Sequence, residues 1–209
     1  MTKIFSLGKN LIAYLRQYAT KRPALAFTCA NEQCNNQRDL HRHGRYLRTA
    51  FTKRRRFEIP IYRWRCPACG RTLSVLPDFL VPRARFVTPV REAAIKRKAQ
   101  GQGFPHVAQG VVSPAVSGIS RRTIKRWWRC HLDQVNDASQ WVSGELIQAG
   151  IDTDLLRLHS QGVNPTLTDT VRWFATLIQK YFQALGRGST SLVGYFGFFN
   201  TRAPARMRI

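Results

Sequence analysis

Two close pairs of cysteines constrain the fold more than any other feature of this chain. The pairs are Cys29-x4-Cys34 and Cys66-Pro-Ala-Cys69-Gly70, and 31 residues separate them. In structural zinc sites four ligands surround the metal as a tetrahedron, with each sulfur about 2.3 Å from the ion. Two thiolates on a tight turn can reach one ion together, and two such turns facing each other complete the site. The sequence therefore predicts one structural Zn²⁺ ion bound by the four cysteines.

Buried free thiols and disulfides are the other interpretations of these pairs. Disulfides are disfavoured because a basic chain without a recognisable secretory signal is expected in a reducing compartment. His41 or His43 could replace one cysteine as a ligand, but with four cysteines available both are expected to face solvent or phosphate. Cys130 has no cysteine near it in the sequence and is expected to be an ordinary thiol. Because four thiolates leave no open position for a substrate, the predicted metal is structural rather than catalytic.

The residues between the two pairs have the pattern of a β-hairpin. Residues 46–51 lead into a basic turn, and residues 57–62 then alternate with the period of two that is typical of strands. A hairpin with a cysteine pair near each end is the architecture of a zinc ribbon. Four consecutive cations at its tip are predicted to contact nucleic acid: Lys53, Arg54, Arg55 and Arg56. The run Tyr62-Arg63-Trp64-Arg65 interleaves rings with charge and is a further candidate for contacts to phosphates, sugars or bases.

Positive charge is concentrated in the first two-thirds of the chain. The sequence contains 34 Lys and Arg residues against 11 Asp and Glu residues, which gives a formal net charge of +23. Residues 1–131 hold 27 of the cations and five acids, whereas residues 132–209 hold seven cations and six acids. This bias predicts a polyanionic partner, with nucleic acid favoured. An anionic membrane is the alternative, but no run approaches the roughly 18 consecutive apolar residues of a spanning helix.

Helical patterns follow the hairpin. Residues 76–82 contain two prolines and are expected to form an extended linker. Thr88 as N-cap and Pro89 in the first turn then begin a helix, which two glycines just after residue 100 end. A second, shorter helix is predicted from about residue 105 to residue 112.

A basic amphipathic helix is predicted to begin after Ser120, a favourable N-cap. Its apolar side carries Ile119, Thr123, Ile124, Trp127 and Trp128. Its other side carries Arg121, Arg122, Lys125, Arg126 and Arg129. This pattern is typical of the second helix of a helix-turn-helix, whose N-terminal residues reach base edges in the major groove, so Arg121, Arg122, Lys125 and Arg126 are predicted DNA contacts. An ordinary basic surface helix is the alternative, and the segment 113–118 is longer than the usual turn of the motif.

Three runs of the sequence carry a family resemblance. They are His43-Gly44-x-Tyr46-x-Arg48, Ile59-x-Ile61-x-Arg63-x-x-Cys66-x-x-Cys69-x-x-Thr72 and Leu76-Pro77-x-Phe79-Leu80-x-Pro82. With Ser120-x-x-Thr123-Ile124-x-x-Trp127, the chain resembles a bacterial mobile-element-associated family with a zinc ribbon, a helix-turn-helix and no assigned function. That family is similar to the N-terminal zinc-ribbon heads of insertion-sequence transposases. The resemblance covers roughly residues 27–130 and implies zinc binding by the four cysteines and DNA contact by the last helix. The gap within the first cysteine pair is wider than the two-residue gap common in the family.

The N-terminal residues 1–24 are predicted to form a short docking helix. Apolar side chains recur at near-helical spacing over Ile4–Tyr18. Lys9 and Asn10 interrupt what would be the apolar core of a signal peptide, and no cleavage site is evident. Composition leaves a mitochondrial-type presequence open, because the first acid is Glu32. The expected location is the cytoplasm, in association with the nucleoid.

The C-terminal third is predicted to be a nearly neutral helical module. One helix is expected over residues 141–148, and a stronger one is capped by Thr168 and Asp169. The stronger helix has an apolar stripe of Val171, Phe174, Leu177, Ile178, Tyr181, Phe182 and Leu185. This stripe is expected to pack against the rest of the protein, with a dimer or partner interface as the alternative. Residues 186–209 are expected to be a flexible or loosely docked tail that turns basic at Arg202, Arg206 and Arg208.

Catalysis is not expected. A transposase needs two metal ions held by about three carboxylates on a mixed sheet. The six acids after residue 131 lie within 78 residues that carry no strand-like run. No Ser/His/Asp set, phosphate loop or His-Glu-x-x-His motif is present.

The sequence thus predicts an α+β protein with a small zinc ribbon, a helix-turn-helix and a mainly helical C-terminal module. The expected divisions are residues 1–24, 25–82, 83–131 and 132–209. The predicted function is sequence-specific binding of double-stranded DNA by a regulator or accessory subunit of mobile-element origin. An RNA-binding protein and the DNA-binding front half of a transposase are the alternatives. A transposase, or a second copy of the chain, is a possible partner of residues 132–209.

Overall fold

The computed structural model describes residues 2–7, 10–29, 31–34, 39–151, 167–185 and 194–204. These residues form a mixed α+β fold with one four-stranded sheet and six helices, which confirms the expected class. The strands are β1 (Thr2–Phe5), β2 (His41–Phe51), β3 (Arg56–Arg65) and β4 (Thr72–Pro77). The helices are α1 (Leu11–Tyr18), α2 (Thr88–Ala99), α3 (Phe104–Val111), α4 (Arg121–Gln148), α5 (Leu167–Leu185) and α6 (Gly194–Arg202).

The hairpin predicted between the cysteine pairs is present and is longer than the sequence pattern indicated. His41 lies opposite Arg65 at one end of the β2–β3 pair, and Phe51 lies opposite Arg56 at the other. A β-bulge interrupts the register just before Gly44. β4 continues the sheet antiparallel to β3, so the strand order is β1-β4-β3-β2.

The N-terminal residues depart from the predicted helix. Thr2–Phe5 is a strand that pairs in parallel with β4, and the helix is confined to Leu11–Tyr18. Pairing with the edge of the sheet satisfies the backbone of this strand and buries Ile4, which outweighs the local helical spacing. α1 starts at Asn10, whose side chain accepts a hydrogen bond from the Ala13 N–H at 2.8 Å. It packs on the sheet through Leu11 and through Tyr14, whose hydroxyl donates to the Pro60 carbonyl at 2.6 Å.

The predicted linker over residues 76–82 is instead part of the core. Leu76 and Pro77 belong to β4, and Phe79 and Leu80 are fully buried. The prolines do exclude a helix here, but they are compatible with a strand end followed by a turn. Thr88 is likewise not an N-cap. Val87 occupies that position, and Thr88 is buried inside the first turn of α2 beside Pro89.

Three successive helices, α2, α3 and α4, pack on one another beside the sheet. α4 is one continuous helix of 28 residues that crosses the predicted division between residues 131 and 132, and the separate helix predicted over 141–148 is wrong. The physical reason is that buried side chains continue at helical spacing through His131, Val135, Ala138 and Val142. No glycine or proline interrupts residues 121–143, and the chain turns only at Gly150, where φ is +73°.

The apolar stripe of α5 packs within the chain. Val171, Phe174, Leu177, Ile178 and Tyr181 are all buried, and α5 lies against α4. Phe182 is half-buried, whereas the side chains of Thr168 and Leu185 lie outside the described residues.

The expected flexible tail is in part a helix. α6 buries Phe196 and Phe199, and the Phe196 N–H donates to the buried Glu92 carboxylate at 3.1 Å. The same carboxylate pairs with Lys96 of α2 at 2.6 Å, and the Lys96 ammonium lies over the Tyr195 ring of α6 at 4.9 Å, so α2 holds α6 through both side chains. Residues 186–193 and 205–209, including Arg206 and Arg208, lie outside the described residues. Length and apolar content together rule out a bilayer-spanning helix anywhere in the described part of the chain.

Candidate metal centre and basic surface

The four paired cysteines come together at one end of the hairpin. Their sulfur atoms all lie within 4.8 Å of one another. The Cys29 and Cys69 sulfurs are 3.6 Å apart, and the Cys34 and Cys66 sulfurs are 3.7 Å apart. Four sulfurs placed tetrahedrally at about 2.3 Å from one ion would be about 3.8 Å apart. The cluster therefore has the dimensions of a four-thiolate metal site, and the separations are too long for disulfides.

Two tight turns position the thiols. Cys66 directly follows β3, and the Gly70 N–H closes the turn by donating to the Cys66 carbonyl at 3.0 Å. Gly70 has φ of +70°, a left-handed conformation that a side chain would strain, so glycine is required after this pair. In the other pair the Cys34 N–H donates to the Asn31 carbonyl at 2.9 Å. The predicted pairing of two turns is thus confirmed.

The backbone of the second turn favours a thiolate at Cys66. The N–H groups of Cys69 and Ala68 donate to this sulfur and outweigh burial, which lowers the pKa of Cys66 to about 6. The pKa of Cys29 is raised, because burial and hydrogen bonds with the other three thiols outweigh the N–H that Asn31 donates. One thiolate therefore forms readily and discourages the next. A cation at the centre removes that repulsion and allows all four protons to leave.

The two histidines considered as substitute ligands stay away from this cluster. His41 and His43 are exposed on β2. Among the described residues, the only group of three or more side chains placed to hold a metal is the four cysteines. Cys130 is exposed on α4 and takes no part in it.

The opposite end of the hairpin carries the predicted basic cluster. The hairpin tip, residues 52–56, is closed by the Thr52 N–H, which donates to the Arg55 carbonyl at 2.9 Å. The Thr52 hydroxyl also accepts from the Arg55 N–H at 3.0 Å. Lys53, Arg54, Arg55 and Arg56 are all exposed. Arg56 differs from the other three because it binds Glu58 at 3.0 Å. The hydrogen bond from the Thr49 hydroxyl and the contact with Arg56 lower the pKa of the Glu58 carboxyl.

Backbone hydrogen bonds anchor this end of the hairpin to the segment before α2 and to the loop before α4. The Phe51 N–H donates to the Arg85 carbonyl at 2.8 Å, and the Val87 N–H donates to the Phe51 carbonyl at 3.1 Å. The Ser113 N–H donates to the Lys53 carbonyl at 2.9 Å. Ser113 begins the loop that leads to α4, so the hairpin tip is attached to the segment that precedes the second basic cluster.

The first turns of α4 have the two-sided character that the sequence predicted. The Ser120 hydroxyl caps the helix by accepting from the Thr123 N–H at 3.1 Å. Ile119, Ile124 and Trp127 are buried, and Thr123 and Trp128 are half-buried. The cations Arg121, Arg122, Lys125, Arg126 and Arg129 are all exposed. None of these five forms a salt bridge with a carboxylate in the described ranges.

Two aromatic residues of β3 do not have the surface role considered for them. Tyr62 and Trp64 are only 3% and 2% exposed, because both point into the core. The Tyr62 hydroxyl donates to the Tyr18 carbonyl at 2.8 Å, and Trp64 makes an edge-to-face contact with Phe27. Arg22 stacks over both rings, with its guanidinium carbon 5.1 Å and 5.2 Å from their centroids. These rings are therefore unavailable for stacking on bases.

Three arginines that the sequence analysis did not single out lie beside α4. Arg83 and Arg85 follow β4, and Arg91 is on α2. Together with Arg126 they line one cleft. The available signal was the spacing Arg83-x-Arg85 after Pro82, but it lay between the segment interpreted as a linker and the predicted helix at Thr88, where no element was predicted.

A family model described as a domain of unknown function, DUF6431, matches residues 31–127. The matched segment contains three of the four clustered cysteines, the whole hairpin, α2, α3 and the first two turns of α4. No curated protein and no solved structure matches the chain.

Proposed function

We propose that this protein binds double-stranded DNA through the N-terminal turns of α4, and that a structural zinc ion in the cysteine cluster holds the sheet beside them. The observation that carries the proposal is the division of those turns into a buried apolar side and an exposed side of five cations, none of which forms a salt bridge among the described residues. A helix held in this way can project its first residues into a major groove. The proposal describes a binding protein rather than an enzyme.

The neighbouring hairpin tip supports the same surface. Because the Lys53 carbonyl accepts a hydrogen bond from the Ser113 N–H, the backbone of the tip lies next to the loop that leads to α4, and the tip side chains of Lys53, Arg54 and Arg55 are exposed. Exposed cations on a turn reach phosphates more readily than base edges. The tip therefore supplies contacts to the DNA backbone, while α4 supplies contacts to bases.

Duplex DNA fits these features better than RNA. An α-helix enters the major groove of B-form DNA, whereas the major groove of A-form RNA is too narrow for it. Recognition of single-stranded RNA uses exposed aromatic rings, and the Tyr62 and Trp64 rings are buried. RNA binding remains the alternative outcome of the experiment below.

Competition binding tests the function directly. The labelled probe is a random 30-base-pair duplex, and the competitors are the same sequence as duplex DNA, single-stranded DNA and duplex RNA at one fixed salt concentration. Duplex DNA should compete at least as well as either alternative. Selection from random duplexes should then enrich a common motif. Stronger competition by RNA or by a single strand would contradict the proposal.

The hairpin tip should contribute affinity without sequence preference. Replacing Lys53, Arg54 and Arg55 together by alanine should weaken binding to every duplex alike. The dependence of log affinity on log salt should flatten by up to about 2.7, since each phosphate contact contributes about 0.9. Arg56→Ala is the matched control with a smaller effect, because Glu58 already pairs with Arg56. A loss confined to one preferred sequence would show that the tip reads bases.

A regulator or accessory subunit of a mobile element is the cellular role that we propose. In such a role residues 132–209 would bind a transposase or a second copy of the chain. The α5 stripe is already covered by α4, so a partner would use the outer faces of these helices, where Ile147 is 51% exposed. Sedimentation of the full chain, alone and on DNA, would detect self-association.

A further inference from the structure

A cleft of about 490 Å³ lies between the segment that follows β4 and the side of α4. Arg83 and Arg85 approach it from the segment, Arg91 from α2, and Arg126 from α4. Thr123 and Trp127 of α4 complete the wall. Four arginines thus line one opening beside the proposed DNA-binding helix.

In the described part of the chain, no carboxylate pairs with these arginines. The Arg91 guanidinium lies over the Trp127 ring at 5.6 Å, and its buried Nε atom has no hydrogen-bond partner in the described part of the chain. Burial lowers the pKa of Arg91 to about 10, with like-charged Arg126 contributing, so the group is still protonated at neutral pH. A buried cation without a counter-ion is costly, and an anion in the cleft would relieve that cost.

The wall of the cleft is held in place before any ligand arrives. The Arg48 guanidinium donates to the carbonyls of Val81 and Ala84 and fixes the start of the segment. At its other end, Phe86 makes an edge-to-face contact with Trp127 at 5.4 Å. The arginines therefore project from a backbone that is pinned to the sheet on one side and to α4 on the other.

We propose that this cleft binds one phosphodiester group of the DNA backbone, next to the groove that α4 enters. The inference rests on the proposed function and assigns a phosphate contact outside the hairpin tip and outside Arg121, Arg122 and Lys125. Guanidinium groups match phosphate oxygens with paired, charge-assisted hydrogen bonds, which an ammonium group cannot reproduce. Arg126 belongs to both surfaces and would set the distance between the phosphate and the bases read by α4.

The test compares two double variants that remove the same formal charge. Arg83→Ala/Arg85→Ala removes two of the arginines that line the cleft. The control, Arg16→Ala/Lys21→Ala, removes two exposed cations on and after α1. In the cleft variant the slope of log affinity against log salt should become shallower by about 0.9, as expected for one phosphate. Binding at 0.15 M salt should weaken about fivefold. The control should change neither quantity measurably. Arg83→Lys/Arg85→Lys should recover part of the loss, which also shows that the segment still folds.

A neutral methylphosphonate linkage, moved along a selected duplex one position at a time, identifies the phosphate. At one position the neutral linkage should weaken binding of the wild type about fivefold and leave binding of the cleft variant unchanged. If the cleft variant binds like the control and no position behaves in this way, the cleft inference fails while DNA binding stands. If the wild type does not bind duplex DNA, the proposed function fails. Stabilisation of the wild type alone by inorganic phosphate would then assign the cleft to a free anion and overturn the DNA contact.

Discussion

Replacing Cys66 by serine should release the metal and unfold the part of the sheet around β3 and β4. The Cys66 sulfur is buried between these strands and lies 3.7 Å from that of Cys34. Structural zinc sites in small peptides contribute about 10–16 kcal/mol of apparent binding free energy, as much as a whole domain has in folding stability. Thermal unfolding followed by circular dichroism should therefore show loss of the cooperative transition. Metal analysis of the wild type should give about one zinc per chain.

Cys130→Ser is the matched control for this substitution. Cys130 is the fifth cysteine, is exposed on α4 and lies outside the cluster. Its replacement should leave both the zinc content and the unfolding temperature unchanged. A wild type that is purified without metal and unfolds at the same temperature after added zinc would contradict a structural role for the cluster.

Replacing Arg121 and Arg122 by alanine, and Lys125 as the third substitution, should abolish most discrimination between selected and random DNA. An arginine that binds guanine with both of its arms discriminates by about 1–3 kcal/mol, so two such contacts amount to about 2–6 kcal/mol, or roughly 30-fold and more. The three side chains are exposed, and the unfolding temperature should hardly change. The measurement is the ratio of dissociation constants for the selected and a scrambled duplex at one salt concentration.

Ile124→Ala provides the opposite control on the same helix. This side chain is 1% exposed, so its truncation should cost about 2–5 kcal/mol of folding stability. At temperatures where the variant is still folded, its discrimination between the two duplexes should persist. If Arg121 and Arg122 can be removed without loss of discrimination, α4 is a basic surface and not a reading helix.

The features that the sequence predicted well are local ones. The cysteine spacing indicates two turns, Ser120 marks the start of α4, and the alternation after residue 56 marks a strand; each depends on neighbours within a few residues. The strand β1 was missed because it depends on pairing with residues more than 70 positions later. The burial of Trp64 was missed for a related reason. Its alternation with arginines indicates a strand but does not identify which face the rest of the protein covers.

The ends of the helices show tertiary packing overriding local preference. Glycine-rich sequence around residues 194–197 disfavours a helix, yet α6 forms because Phe196 and Phe199 are buried and the α6 backbone reaches Glu92. In α4 the pattern of charge changes near residue 131, which suggested a boundary between two units. The buried side chains run on without a break, and burial rather than charge determines where a helix ends.

The continuity of α4 makes it a rigid rod about 42 Å long, given a rise of about 1.5 Å per residue. Its first turns carry the exposed cations, and its last turns pack against α5. Because no hinge interrupts this helix, a displacement of one end is transmitted to the other end. Cutting the chain after residue 131 would divide this helix and expose Val135 and Ala138, which are buried in the intact protein. Truncated variants of the protein should therefore lack whole helices from the C-terminal end and keep α4 intact.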